Sequence, residues 1–211
     1  MKTFLNGNST VRELQDSSFT IISVPGLTWT KALRLIRSDV ERFSDSIIYI
    51  HIGPVRFSHL EQSGSHRRCS LNRFNNSNPG EIVRPFVRLL RDNNINIVIC
   101  TIYPMDFTIY NRHLSSGARV NEGDNDTDTR QMRSMVVMEN RLIVDFNMQN
   151  NMATPYMHRR IFTRRNHTYR FRARLLRDGL HPNRDIVRDW SREIRRVNVL
   201  NLGRLRRRFV Q

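Results

Sequence analysis

Lysine is almost missing from this chain. Of its 35 basic residues only Lys2 and Lys31 are lysine, and the rest are arginine. Basic contacts are therefore made by planar guanidinium groups, which grip phosphate and carboxylate bidentately. Cysteine is equally scarce. Cys69 and Cys100 alone exclude a disulfide framework and a thiolate metal cluster. Cys100 lies in an apolar run and is expected to be buried; Cys69 lies in a polar stretch and reads as a loop residue. No apolar run approaches the roughly 20 residues of a helical membrane span. The opening Met1-Lys2-Thr3-Phe4-Leu5-Asn6-Gly7 lacks the apolar region of a signal peptide, so the expectation is an intracellular protein, cytoplasmic or nuclear. Gly7-Asn8-Ser9 lacks the further glycines and the lysine of a phosphate cradle, and no dinucleotide fingerprint occurs. His51, His59, His66, His113, His158 and His167 show no zinc-ligand spacing and read as surface or strand histidines. No metal and no cofactor is expected.

Positive charge is what the chain has in excess. Its formal net charge is +16. A field of that sign draws nucleic acid, anionic lipid or an acidic protein. The densest run is Arg204-Leu205-Arg206-Arg207-Arg208, so Arg204, Arg206, Arg207 and Arg208 are candidate anion-binding residues on a basic tail over 201–211. The 211 residues suit one domain with a sizeable core, expected over 1–200.

Apolar runs and breakers alternate along the chain. Thr3-Phe4-Leu5, Phe19–Val24, Ser46–Ile52 and Asn96–Ile102 read as strands, closed by Gly7, Pro25-Gly26, Gly53-Pro54 and Pro104. Leu142–Phe146 reads as a fifth. Helices are expected over 10–17, after a Thr28 cap with Trp29, Leu33, Ile36 and Val40 on one face, from about Pro79 to Asn93, and over 129–139. A last helix spans Asn183 to about Val197, with Ile186, Val187, Trp190, Ile194 and Val197 as its apolar stripe. Residues 61–80 and 115–128 read as polar insertions. Continuous apolar strands alternating with helices fit a parallel sheet covered on both faces. The fold class is α/β: a three-layer α/β/α sandwich of about five strands, flavodoxin-like. Its ligands sit beyond the carboxyl ends of the strands. Asp106, Asn111, Asp145 and Asn147 are weaker rim candidates, with turn or cap roles as the plainer reading.

Two blocks carry chemistry. Leu5-Asn6-Gly7-Asn8-Ser9 follows the first strand, and Asp178-Gly179-Leu180-His181-Pro182 precedes the last helix. Together they hold a hydroxyl, a carboxylate and an imidazole. With Val24-Pro25-Gly26 and Ile52-Gly53-Pro54-Val55-Arg56 between them, in that order, the chain resembles the SGNH (GDSL-type) hydrolases. The resemblance implies Ser9 as nucleophile, His181 as base and Asp178 as its orienting carboxylate. It implies oxyanion donors at the N–H groups of Ser9 and Gly26 and in the Gly53 block, and a small ester as substrate. Two positions depart from the family pattern. Asn8 replaces the aspartate before the nucleophile, and Val55 stands where the family has its oxyanion-hole asparagine. Arg56 is the candidate replacement donor. Two classes follow: a serine esterase acting through an acyl-enzyme, or an arginine-rich SGNH-fold protein that has lost catalysis and binds nucleic acid or other partners, as in a virus or mobile element.

Overall fold

Ser46–His51 carries three isoleucines and a tyrosine, and every side chain in it is buried. Fully burying each apolar one contributes about 1.5–3 kcal/mol. This strand, β3, is the axis of the protein. β1 (Lys2–Gly7) pairs with it on one side and β6 (Ile95–Ile99) on the other; β2 (Thr20–Ser23) pairs with β1. All three pairings are parallel. The computed structural model describes residues 1–7, 11, 14, 18–24, 27–63, 66–72, 81, 83–114, 122–165 and 168–208 (for Asn6, Val55, Ser63, His66, Glu122, Arg165 and Arg208, the backbone only).

Alternation along the strands divides two cores. Phe4, Ile48, Ile50, Ile97 and Ile99 face α1 (Trp29–Ser38), packing on Trp29, Ala32, Leu33 and Ile36. Thr28 caps α1 by accepting the Lys31 N–H at 3.3 Å. Beyond it lie α2 (Val40–Phe43) and α3 (Val87–Asp92). Leu5, Ile47, Tyr49 and Val98 face the opposite way, onto Ile186, Trp190, Ile194 and Val197 of the closing helix. That is the expected stripe. The helix layers on both sides complete the α/β/α sandwich.

A third core lies beyond the sheet. It gathers Phe57, Cys69 and Leu71, Met105 and Phe107, Met132 and Val136, Phe162 and Leu180. Phe57 ends the 3-10 turn Pro54–Phe57 that leads into β4 (Ser58–Ser63); Cys69 and Leu71 lie on β5 (His66–Leu71), Met105 just before α4 (Phe107–Leu114), Phe107 on α4, Met132 and Val136 on α5 (Glu122–Gln149), Phe162 on β7 (Phe162–Arg165), and Leu180 in the loop before the last helix. β7 forms a hairpin with β8 (Thr168–Phe171).

Several elements differ from the sequence reading. Part of the expected polar insertion over 61–80 is the antiparallel β4–β5 hairpin, with Cys69 buried in β5 and not in a loop. Leu142–Phe146 is helical, inside the 28-residue α5, and the sheet has four strands among the described residues. The reason is the partner available. Asn140 and Asn147, two turns apart, each use the side-chain amide to hold both the N–H and the C=O of one residue, Ile102 and Ile99 respectively, at 2.8–2.9 Å. The outer edge of β6 thus has polar partners from a helix, and the apolar residues between those amides serve helix packing. Asn111 does the same for Cys69 in β5, at 2.7 and 2.8 Å. Asn111 and Asn147, candidate rim residues by sequence, thus hold backbone groups.

The insertion expected over 115–128 becomes helix from Glu122 onward; 115–121 lie outside the described residues. So do 73–80 and most of the helix expected over 10–17, of which Val11 and Leu14 are described and buried. The closing helix α6 (Arg184–Arg208) runs eleven residues past Val197. Asn201 and Leu205, expected in the tail, are buried against the core.

Candidate active site

Parallel register brings three strand ends into one row. Gly7 at the end of β1 lies opposite Ser23 of β2 and His51 of β3. The Val24 N–H then donates to the Gly7 carbonyl at 2.8 Å. A side chain at Gly7 would meet Val11 Cγ1 at 2.6 Å and the His51 carbonyl at 3.1 Å. From this row the chain runs two residues on to Ser9, three on to Gly26 and two on to Gly53. Ser9 and Gly26 lie outside the described residues. Gly53 leaves β3 with φ 63°, a conformation that glycine adopts without strain.

The Asp178–His181 loop is fully described. The Asp178 carboxylate folds back over its own loop. Its Oδ1 accepts the N–H groups of Leu180 and His181 at 2.9 and 2.7 Å, and its Oδ2 meets His181 Nδ1 at 2.7 Å. Burial pushes this carboxyl up. The hydrogen bonds from the His181 ring and from the two backbone N–H groups, with the charge of the imidazole, outweigh that and hold it well below the usual carboxylate range. An ionised carboxylate only accepts, so Nδ1 carries the proton and the neutral ring has its basic nitrogen at Nε2. The side chains are 17% and 28% exposed, which leaves the imidazole reachable from solvent.

Packing fixes this loop from below. Gly179 has φ 82°, and a Cβ there would lie 2.7 Å from the Asp106 carbonyl and from the Tyr110 nitrogen. The Asp106 N–H donates to the Gly179 carbonyl at 2.8 Å. Asp106 itself caps α4 through the Ile109 N–H at 2.9 Å, the plain role expected of it. Leu180 is buried in the third core, and its carbonyl accepts the Tyr103 hydroxyl at 3.0 Å. Tyr103 in turn packs with Trp190 (5.4 Å) and His51 (6.2 Å). An aromatic group therefore joins the end of β3 to the His181 loop. His51 lies in β3, one of the two places expected of it, while the sequence reading does not single out Tyr103, whose position just before the strand-closing Pro104 is the available signal. The Asn183 side chain accepts the Ile186 N–H at 3.1 Å and opens α6.

Arg56 is engaged elsewhere. Its Nη1 lies 2.6 Å from Glu139 Oε1 of α5, both side chains nearly fully buried, and its guanidinium sits over the Phe57 ring at 4.8 Å. Burial pushes the Glu139 carboxyl up to about 7 against the pull of Arg56. Asp145, the other weak rim candidate, lies on α5 beside Asn140 and Tyr169, away from the His181 loop. Arg204, Arg206, Arg207 and Arg208 sit on the last turns of α6 and are helical, not an extended tail; Arg204 reaches the Asn151 carbonyl at 3.5 Å.

Compared by sequence, no family profile and no curated protein matches the chain. Solved structures do. The chain is similar to a GDSL-like lipase from Bacteroides thetaiotaomicron, with 14% identity and a TM-score of 0.59 over 92% of this chain and 86% of that one. It is similar to a lipase/acylhydrolase from Enterococcus faecalis, with 11% identity and a TM-score of 0.55 over 93% and 94%. A catalytic serine-to-alanine mutant of an acetylxylan esterase from Geobacillus stearothermophilus aligns at 11% identity and a TM-score of 0.54, over 92% and 93%. No helix among the described residues is long and apolar enough to cross a membrane. The parallel sheet, its covering helices and these likenesses agree: the chain has the SGNH-hydrolase fold.

Proposed function

We propose that the protein is a serine hydrolase that cleaves an ester through Ser9, His181 and Asp178. The observation that carries this reading is the 2.7 Å contact between Asp178 Oδ2 and His181 Nδ1, in a loop whose backbone N–H groups also hold the carboxylate. That arrangement fixes one tautomer and leaves Nε2 as a base. Ser9 follows Gly7 by two residues in the sequence, and Gly7 ends β1 in the row of strand ends where ligands collect in this fold class. The lipase, acylhydrolase and esterase names of the similar structures favour an ester.

In this reading Ser9 Oγ attacks the acyl carbonyl carbon while His181 Nε2 takes its proton. The tetrahedral oxyanion is met by the N–H groups of Ser9, Gly26 and Gly53. The carbon–oxygen bond to the alcohol breaks, His181 returns the proton to the departing oxygen, and an acyl-Ser9 remains. Water repeats the sequence, giving the free acid and regenerating Ser9. Arg56 keeps Nη1 on Glu139, and the backbone donors come first.

A second reading keeps the fold and drops the chemistry, leaving a polyanion-binding protein. The Val55 position and the commitment of Arg56 to Glu139 favour it. A fluorophosphonate probe with a small p-nitrophenyl ester panel separates the two. The hydrolase labels at Ser9, turns over at least one ester, and loses both properties in Ser9→Ala. The binding protein does neither and holds polyanions with a steep salt dependence.

A further inference from the structure

From Phe146 to Arg177 the sequence has eight arginines and no carboxylate, and it then enters the Asp178–His181 loop. The four acidic residues that follow are already used. Asp178 holds His181, Asp185 pairs with Arg188 at 3.7 Å, Asp189 meets Arg160 and Arg192, and Glu193 holds Arg196 at 3.0 Å. Arg159 lies over the Tyr156 ring at 3.9 Å. The carboxylates of α6 are thus each paired with an arginine, and none of them is left for the chain leading into the loop.

Two of the remaining arginines flank the Asp178–His181 loop in the chain. Arg174, in the short 3-10 turn Ala173–Leu175, is exposed; Arg184, the first residue of α6, is exposed as well. Neither has a carboxylate partner among the described residues. Backbone bonds staple their segments to the catalytic loop. The Arg177 N–H donates to the His181 carbonyl at 2.7 Å, the Asn183 N–H donates to the Leu175 carbonyl at 2.9 Å, and Leu176 bridges Pro182. Arg174 therefore emerges four residues before Asp178, and Arg184 three after His181, from paired strands of one loop. Exposed arginines without a carboxylate partner raise the local concentration of anions at the mouth of a site.

We infer that the ester handled at His181 carries its own anionic group (a phosphate, sulfate or carboxylate) on the alcohol or acyl side, and that Arg174 and Arg184 receive it. This rests on the hydrolase reading. The charge sits on substrate and transition state alike, so these arginines lower KM more than they raise kcat.

The test is a set of aryl acetates sharing one acetyl group, with a neutral ring or a ring bearing sulfonate, phosphate or carboxylate. At low ionic strength the best anionic ester is expected to exceed the neutral one by about tenfold in kcat/KM, through KM, and to lose that advantage near 0.5 M salt. The ratio should fall towards one in Arg174→Gln/Arg184→Gln, and stay unchanged in Arg88→Gln, a control on α3 far along the chain. The rank among the three anions names the group. Equal kcat/KM for all four esters in a protein that hydrolyses the neutral one overturns the inference and leaves the hydrolase. An advantage that survives the double substitution overturns the assignment to these arginines. No turnover of any ester, with no fluorophosphonate label, overturns both.

Discussion

Asn147 of α5 holds both backbone hydrogen-bonding groups of Ile99, accepting its N–H at 2.9 Å and donating to its carbonyl at 2.8 Å. One buried amide thereby does for the outer edge of β6 what a residue of a neighbouring strand would do. Asn147→Leu leaves that N–H and carbonyl buried and unpaired, and is expected to cost about 2–5 kcal/mol. Denaturant unfolding measures it; a change under 1 kcal/mol would mean that the edge finds water or another partner.

Asp178→Asn keeps the size of the side chain but replaces an acceptor oxygen by a donor, or turns the amide so that His181 has the wrong tautomer. Hydrolysis is expected to fall by about 10²–10⁴ with the fold intact. The same carboxylate links stability to acid. Its folded value lies below the ordinary 3.8, so its contribution is complete above that pH and is lost as the pH falls further. Unfolding measured from pH 5 down to pH 2 should be less steep in the Asn variant.

His51 makes an opposite kind of prediction. The ring is fully buried between Trp190 and Tyr103, and neither of its nitrogens has a hydrogen-bond partner among the described residues. Burial pushes it down to about 4, and burial with the Arg159 charge takes His158 to about 4 as well. The unfolded chain therefore binds more protons between pH 6.5 and pH 4, and stability falls as the pH drops through that window, by about 3 kcal/mol per histidine. His51→Phe fills the same aromatic site without the unpaired nitrogens. It is expected to be neutral or stabilising at pH 7 and clearly stabilising at pH 5, with the His51 share of the pH slope removed. A destabilised Phe variant would show that the imidazole has a partner.

Gly179 is held by its conformation and by the space around it. Gly179→Ala places a methyl group 2.7 Å from two backbone atoms at positive φ. The loop must move, with a cost of about 1–3 kcal/mol and a loss of hydrolysis larger than the loss of fold. Thermal unfolding and kcat/KM, measured together, check the split.

Breaking the Arg56–Glu139 pair from one side leaves a buried charge. Glu139→Ala is expected to cost about 3–5 kcal/mol, and Arg56→Ala/Glu139→Ala to recover part of that. If Arg56→Ala also leaves ester hydrolysis undiminished, Arg56 has no part in the oxyanion site.

Local chemistry explains which parts were legible in the sequence. β3 was, because six consecutive buried residues leave no other pattern. α6 was, because Ile186, Trp190, Ile194 and Val197 keep one face. The Asp178–His181 loop stood out through the family resemblance, and its three-residue spacing lets one turn bring the carboxylate to the imidazole. Leu142–Phe146 misled, since an apolar run does not reveal whether asparagines seven apart will face a strand edge. The Ser58–Leu71 hairpin was hidden because its residues are mostly polar and its burial comes from α4 and α5, far along the chain. The ion pair that occupies Arg56 joins residues 83 apart, which no local pattern contains.

Intact-mass and peptide mapping after fluorophosphonate treatment of the folded protein tests the central claim most directly. The account predicts a single adduct on the peptide carrying Ser9, absent in Ser9→Ala and much slower in His181→Ala. A folded protein that takes up no probe, or takes it up on another residue while Ser9→Ala labels as before, would contradict it.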